Sequence, residues 1–323
     1  MFSLDDLRVA TEVVRRHLPA TPQYAWPLLG QRIGTETWVK HENHTPTGAF
    51  KVRGGLTYVD RLVRERPHVK GLVSATRGNH GQSIALAGTA VGLPVAIVAP
   101  HGNSPDKNAA MRAWGAELIE HGHDFQAARE HAEALAVERG FELVPSFHAD
   151  LVVGVATYAL ELFEAVDALD AVYVPVGMGS GICGLIAVRD LLGLSTEIVG
   201  VVAERAPATA LSFAAGRAIS TDTAATFIDG VACRVPDPVA IDAIIAGAAR
   251  IVQVSEDACA DAVRLLYETT HNLAEPAGAV ATAGLVLERD RQAGKRVATI
   301  LCGGNLDASL LTDLLAGRTP TIG

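Results

Sequence analysis

A two-domain α/β architecture built on parallel sheets is the fold this sequence predicts, and three observations predict it. The chain has 323 residues, beyond the size at which a single core usually stops growing. Its apolar runs are short, rich in Val, Ile, Leu and Ala, and alternate with helical stretches, as expected of strands covered by helices on both faces. Several of these runs lead directly into glycine-rich turns. Ligands of such sheets sit at the carboxyl ends of the strands, where strand order switches.

Taken in order, residues 4–17 read as a first helix and 37–40 as a strand. The apolar run 71–76 predicts a strand, and the segment after it a helix reaching about Gly92. Residues 95–99 form the next strand, after which Ser104 and Pro105 open a helix running through Trp114. A strand at 117–119, a helix at 125–138 and a strand at 141–144 follow, then a helix at 151–166. Further strands are expected at 171–176, 198–203, 251–254 and 297–301, with helices between them.

Composition excludes several function classes. A formal net charge of -9 with 20% charged residues argues against nucleic-acid or anionic-membrane partners. Asp5, Asp6, Arg8 and Glu12 in the first turns do not suit a signal peptide. The uncharged run 171–188 approaches the length of a membrane span. It is interrupted by Pro175 and by glycines, so it reads as strand, loop and helix start. Cys183, Cys233, Cys259 and Cys302 lie far apart, which excludes a zinc-finger spacing and suits a reducing cytoplasm.

The stretch with the most chemistry is Thr45-Pro46-Thr47-Gly48-Ala49-Phe50-Lys51. Pro46 disfavours helix before it, and Thr47 can cap a helix beginning just after. Lys51 then lies near a helix N-terminus, whose partial positive charge favours the neutral amine. Such a lysine can act as nucleophile and base, including toward an aldehyde cofactor. A surface lysine, or one laying its methylenes on the core, is the competing reading.

Two loops that follow strands stand out. Gly177-Met178-Gly179-Ser180-Gly181 exposes backbone amides at a helix start, an anion cup suited to a phosphate. A structural tight turn is the alternative. Thr76-Arg77-Gly78-Asn79-His80 offers amides to a carboxylate and the Asn79 side chain to a hydroxyl or phenolate, unless it is only an Asn-capped helix. Near the C-terminus, a strand runs into Cys302-Gly303-Gly304-Asn305, and Glu275 precedes Pro276 at a helix start.

In this order these motifs resemble the fold-type II family of pyridoxal-phosphate (PLP) enzymes, the tryptophan synthase β-like fold. The similarity is greatest to its threonine dehydratase and serine racemase branch, and it spans nearly the whole chain. The resemblance implies two parallel-sheet α/β domains with the active site between them. Residues 1–44 plus 150–323 would form a large PLP-binding domain, and 45–149 a small mobile domain.

It also implies roles. Lys51 is expected to form the imine with PLP, and Phe50 to pack beside its ring. Asn79 would bond the cofactor hydroxyl, and Gly177, Met178, Gly179, Ser180 and Gly181 would cradle the phosphate. Glu275 and Cys302 would line the cofactor, with Cys302 facing the pyridine nitrogen. Thr76, Arg77, Gly78 and His80 would hold the substrate carboxylate through their amides, and Gly230 would line the substrate side. A thiol holds the pyridine nitrogen protonated less well than a carboxylate does, which suits loss of a β-leaving group.

The implied reaction is elimination of water from a β-hydroxy amino acid, L-threonine or L-serine foremost, giving a 2-keto acid and ammonia. The alternative substrates are 3-hydroxyaspartate and phenylserine. Racemisation, β-replacement and a binding module without chemistry rank behind. The expected enzyme is a cytoplasmic homodimer acting on small molecules.

Three departures from the family pattern matter. Racemases carry a serine where this chain has Arg77, and a guanidinium cannot serve as the second acid/base. Relatives bind a divalent ion near a glutamate on a strand. In this chain Glu204 is followed by Ala208 and Ala210, so no metal is expected. The chain ends without the regulatory domain of biosynthetic threonine dehydratases, so isoleucine feedback is not expected. Arg77 is instead a candidate ligand for a second substrate carboxylate.

Overall fold

A computed structural model describes residues 1–321. Its strands are β1 (Gln23–Ala25), β2 (Glu36–His41), β3 (Leu72–Ala75), β4 (Val95–Ala99) and β5 (Glu117–Glu120). They continue with β6 (Glu142–Leu143), β7 (Ala171–Pro175), β8 (Glu197–Ala203), β9 (Arg250–Val254) and β10 (Arg296–Leu301). The helices begin with α1 (Leu4–Arg15), α2 (Pro27–Ile33), α3 (Lys51–Glu65), α4 (Asn79–Ala90), α5 (Pro105–Ala113) and α6 (Phe125–Arg139). After these come α7 (Ala149–Ala165), α8 (Ser180–Leu191), α9 (Ala208–Ala215) and α10 (Pro238–Gly247). The last are α11 (Glu256–Thr270), α12 (Pro276–Leu287) and α13 (Ala308–Leu315).

Packing divides the chain into two units. One holds Met1, Ala20–His44 and the chain from Tyr158 onward; the other holds Phe2–Pro19 and Thr45–Thr157. Residues 2–19 and 150–157, assigned to the larger domain from sequence, therefore pack in the second unit. Val13, Val14, Leu18 and Leu151 account for this, because they join one buried apolar cluster with Val52, Leu56, Ile84 and Met111.

In the first unit the described residues form a sheet of order β1-β2-β10-β7-β8-β9. From β7 the chain steps outward to β8 and β9, then returns so that β10 lies on the other side of β7. Strand order thus reverses between β7 and β10, and a crevice forms at their carboxyl ends. The sheet is not wholly parallel as expected, since β1 runs antiparallel to β2 with Gln23 opposite Lys40. Such a short edge strand is compatible with an otherwise parallel sheet. The Lys40 ammonium secures it by donating to Gln23 Oε1 at 2.9 Å and to Glu161 Oε2 at 2.7 Å.

The second unit has the order β5-β4-β3-β6, parallel throughout. The chain steps from β3 to β4 and β5, and β6 then pairs on the opposite edge of β3. The reversal lies between β3 and β6, so the loop after β3 occupies this sheet's own switch point. Val73, Ala75, Ala96 and Val98 face Ala128, Ala132 and Leu135 of α6. Among the described residues no helix is long and apolar enough to cross a membrane.

Candidate active site

In the second unit, the lysine turn is held by its own side chains. The Thr45 hydroxyl accepts the Ala49 N–H at 2.9 Å, and Gly48, with φ of +67°, reverses the chain. Helix α3 begins at Lys51, as expected, with Phe50 rather than Thr47 at its cap position. The Lys51 Nζ lies 5.3 Å from the centroid of the Phe50 ring, within range of a cation–π contact. Its main-chain carbonyl accepts the Ser83 hydroxyl at 2.6 Å.

The loop after β3 presents fewer donors than its sequence suggests. Thr76 N–H belongs to the sheet, donating to Val98 O at 3.0 Å. Gly78 N–H donates to the Thr76 hydroxyl at 3.1 Å. Of the expected carboxylate-binding segment, Thr76 and Gly78 thus shape the loop rather than aim their amides at a ligand. The first turn of α4, starting at Asn79, supplies the amides that an α-helix leaves without intrahelical partners. Arg77 is exposed on the same loop.

His80 is 7% exposed. Burial, and next the charge of Lys51, push its imidazole down to about 3, while bonds to the backbone of Pro145 and Val144 oppose the shift. It is therefore neutral at physiological pH, and its buried Nε2 has no protein partner.

In the first unit, the glycine loop after β7 turns through Gly179, whose φ of +98° suits glycine at the cap of α8. A Cβ on Gly177 would lie 2.5 Å from Gly230 O, and one on Gly230 would lie 2.6 Å from the Ala277 side chain. The Met178 sulfur sits 3.6 Å from Cys233 Sγ, Ser180 is buried, and Gly181 O accepts the Tyr158 hydroxyl at 3.2 Å. Cys302, directly after β10, directs its thiol to Ala277 O at 3.4 Å. Glu275 is 4% exposed, donates its N–H to Gly303 O at 3.1 Å and makes no side-chain cap bond to α12. Capping therefore does not account for its carboxylate.

This unit so brings together the glycine loop, Gly230, the start of α12 and Cys302, all legible in the sequence. Cβ-free backbone at Gly177 and Gly179, beside the first-turn amides of α8, suits a small dianion. A thiol near that edge can bond a ring nitrogen without carrying charge. Glu204 is exposed after β8, and among the described residues no group of three His, Cys, Asp or Glu could hold a metal ion.

Sequence reasoning missed Ser83, Asn103 and Asn108, none of which lies in a glycine-rich turn. The one available signal was Gly54-Gly55 inside a helix, which marks a close approach to another element. At Gly55 that element is α4 at Ser83.

Comparison with known proteins agrees with this chemistry. Residues 14–303 match the profile of the family described as "Pyridoxal-phosphate dependent enzyme". The L-threo-3-hydroxyaspartate ammonia-lyase of Saccharomyces cerevisiae is 31% identical over 98% of each chain. The L-threonine ammonia-lyase of Thermotoga maritima is also 31% identical, over 98% of this chain and 78% of its own. Among solved structures, the processed form of threonine deaminase isoform 2 from Solanum lycopersicum superposes with a TM-score of 0.90. It is 28% identical over 98% of this chain and 94% of its own. An amine at one helix start, a glycine cup at another and a profile match across most of the sequence have one common explanation: the chain belongs to the pyridoxal-phosphate-dependent enzyme family, in its fold-type II form.

Proposed function

We propose that the chain is an ammonia-lyase that removes water from a β-hydroxy amino acid, L-threonine or L-serine foremost, yielding a 2-keto acid and ammonia. One observation carries this reading. Two relatives matched over 98% of this chain are named as ammonia-lyases, and both named substrates are β-hydroxy amino acids.

The residues divide the work as follows. The glycine loop 177–181 and the first turn of α8 bind the cofactor phosphate, and Asn79 bonds its ring hydroxyl. Phe50, Glu275 and Cys302 would hold the ring. Pyridoxal phosphate, when bound, supplies the electron sink for chemistry at the substrate Cα. Lys51 anchors the cofactor and, as a free amine, takes the Cα proton. With a thiol rather than a carboxylate at Cys302, the pyridine nitrogen would carry no full proton, which would suit loss of the Cα proton and the β-hydroxyl together as water. The first-turn amides of α4, with Arg77 and His80, hold the substrate carboxylate, and Gly230 lines the substrate side.

Arg77 supports a second reading, 3-hydroxyaspartate, because its exposed guanidinium stands on the loop that takes the first carboxylate. The enzyme is further proposed to be a cytoplasmic homodimer. Its four cysteines are all buried free thiols, which suits a reducing compartment.

The decisive experiment is keto-acid formation from L-threonine, L-serine, 3-hydroxyaspartate and phenylserine by the purified yellow protein, with no added nucleophile. Lys51→Ala should abolish both colour and turnover. An S-substituted amino acid formed with an added thiol, in place of keto acid and ammonia, or retention of colour and activity in Lys51→Ala, would overturn the reading. Sedimentation equilibrium tests the dimer.

A further inference from the structure

The loop after β3 is gripped from outside by a pair of asparagines to which nothing above assigns a role. Asn103 Nδ2 donates to Arg77 O at 3.0 Å and to Asn108 Oδ1 at 2.7 Å. Asn108, on α5, is 4% exposed, and its own N–H is fixed to Ser104 O at 2.9 Å. Both hydrogens of the Asn103 amide therefore have acceptors, which also determines which way the amide points.

The consequence falls on the peptide between Arg77 and Gly78. Its carbonyl accepts from Asn103, while its N–H donates to the Thr76 hydroxyl at 3.1 Å. In a trans peptide these two groups point in opposite directions, so the two bonds together set the peptide plane. A flipped plane would point its carbonyl where the N–H now points, at the Thr76 side chain, which lies against Gly81 in the first turn of α4, and there the carbonyl dipole would oppose a bound anion.

We propose that Asn103, braced by Asn108, is a positioning residue. It holds the Arg77 carbonyl away from the substrate carboxylate at the first turn of α4. The proposal rests on the reading of this loop as the carboxylate site.

The test is calorimetric binding of L-alanine, which carries the carboxylate but no leaving group, to the cofactor-loaded enzyme. Methylamine, an amine without a carboxylate, is the control. Asn103→Ala removes the donor and adds no charge that could itself repel a carboxylate. It should weaken L-alanine about five- to tenfold, the upper scale of one lost hydrogen bond. Methylamine and pyridoxal phosphate should bind within about twofold of wild type, with Tm nearly unchanged. Asn103→Ser should show the same selectivity if the Ala variant folds poorly. L-alanine affinity preserved in both variants, or equal losses for L-alanine, methylamine and cofactor, would overturn the proposal. If wild type itself binds L-alanine no better than methylamine, the carboxylate-site reading falls, and the positioning role with it.

Discussion

The Ser83 hydroxyl donates to the Lys51 carbonyl at 2.6 Å, tying the first residue of α3 to the second turn of α4. The same serine presses on Gly55, where an added Cβ would lie 2.3 Å from Ser83 Oγ and 2.9 Å from Ser83 O. Helix propensity alone would make Gly55→Ala stabilising by about 1 kcal/mol. The packing predicts the opposite sign, a loss of about 1–3 kcal/mol. Urea unfolding distinguishes the two, and a stabilised variant would show that α3 and α4 are not in this contact.

At the cofactor cup, backbone meets backbone. Gly177→Ala places a methyl group 2.5 Å from Gly230 O, which no side-chain rotation can relieve. Gly179→Asp adds a carboxylate at a residue with φ of +98°. Each should weaken pyridoxal phosphate by tenfold or more, about 1.4 kcal/mol, while the apoprotein still unfolds cooperatively. Fluorescence titration with the cofactor is the check, and unchanged affinity in both variants would move the phosphate elsewhere.

Acid should weaken the fold through its buried imidazoles. His80 is held down to about 3 by burial first and then by the Lys51 charge, against an ordinary value of 6.5. Between those values the unfolded chain carries a proton that the native state lacks. Stability is therefore complete above about 6.5 and declines as pH falls toward about 3. His41, lowered to about 4 chiefly by burial, contributes in the same direction. The urea midpoint should drop between pH 7.5 and 5, and His80→Asn should lessen that drop without removing it. A variant with the full wild-type slope would mean that His80 titrates normally.

Arg77 separates the two substrate readings. If it pairs with a distal carboxylate, Arg77→Ala should leave threonine turnover nearly unchanged. The same substitution should cost 3-hydroxyaspartate about 1.5–3 kcal/mol in kcat/KM, the scale of hydrogen bonds to a charged group. Equal losses on both substrates, accompanied by a lower Tm, would assign Arg77 a structural role. A wild-type enzyme inert toward 3-hydroxyaspartate would exclude the second reading outright.

What the sequence by itself determined was local. Lys51 at a helix start, Gly179 before α8 and Glu275 before Pro276 each depend on backbone preferences within a few residues, so their types and spacing disclose them. The ordered motifs also carried the family, because each glycine-rich turn follows an apolar strand. Tertiary structure alone decided which chain segments these local pieces meet. It placed the loops after β7 and after β3 at the reversals of strand order, and it set Gly177 against Gly230 and Asn103 on the Arg77 carbonyl. It also joined residues 2–19 to the second unit and added the antiparallel edge β1. Periodicity and capping act over about one or two turns of chain. Strand pairing and close packing instead join residues far apart in sequence, and no local pattern encodes which partner a strand edge or a bare glycine will find.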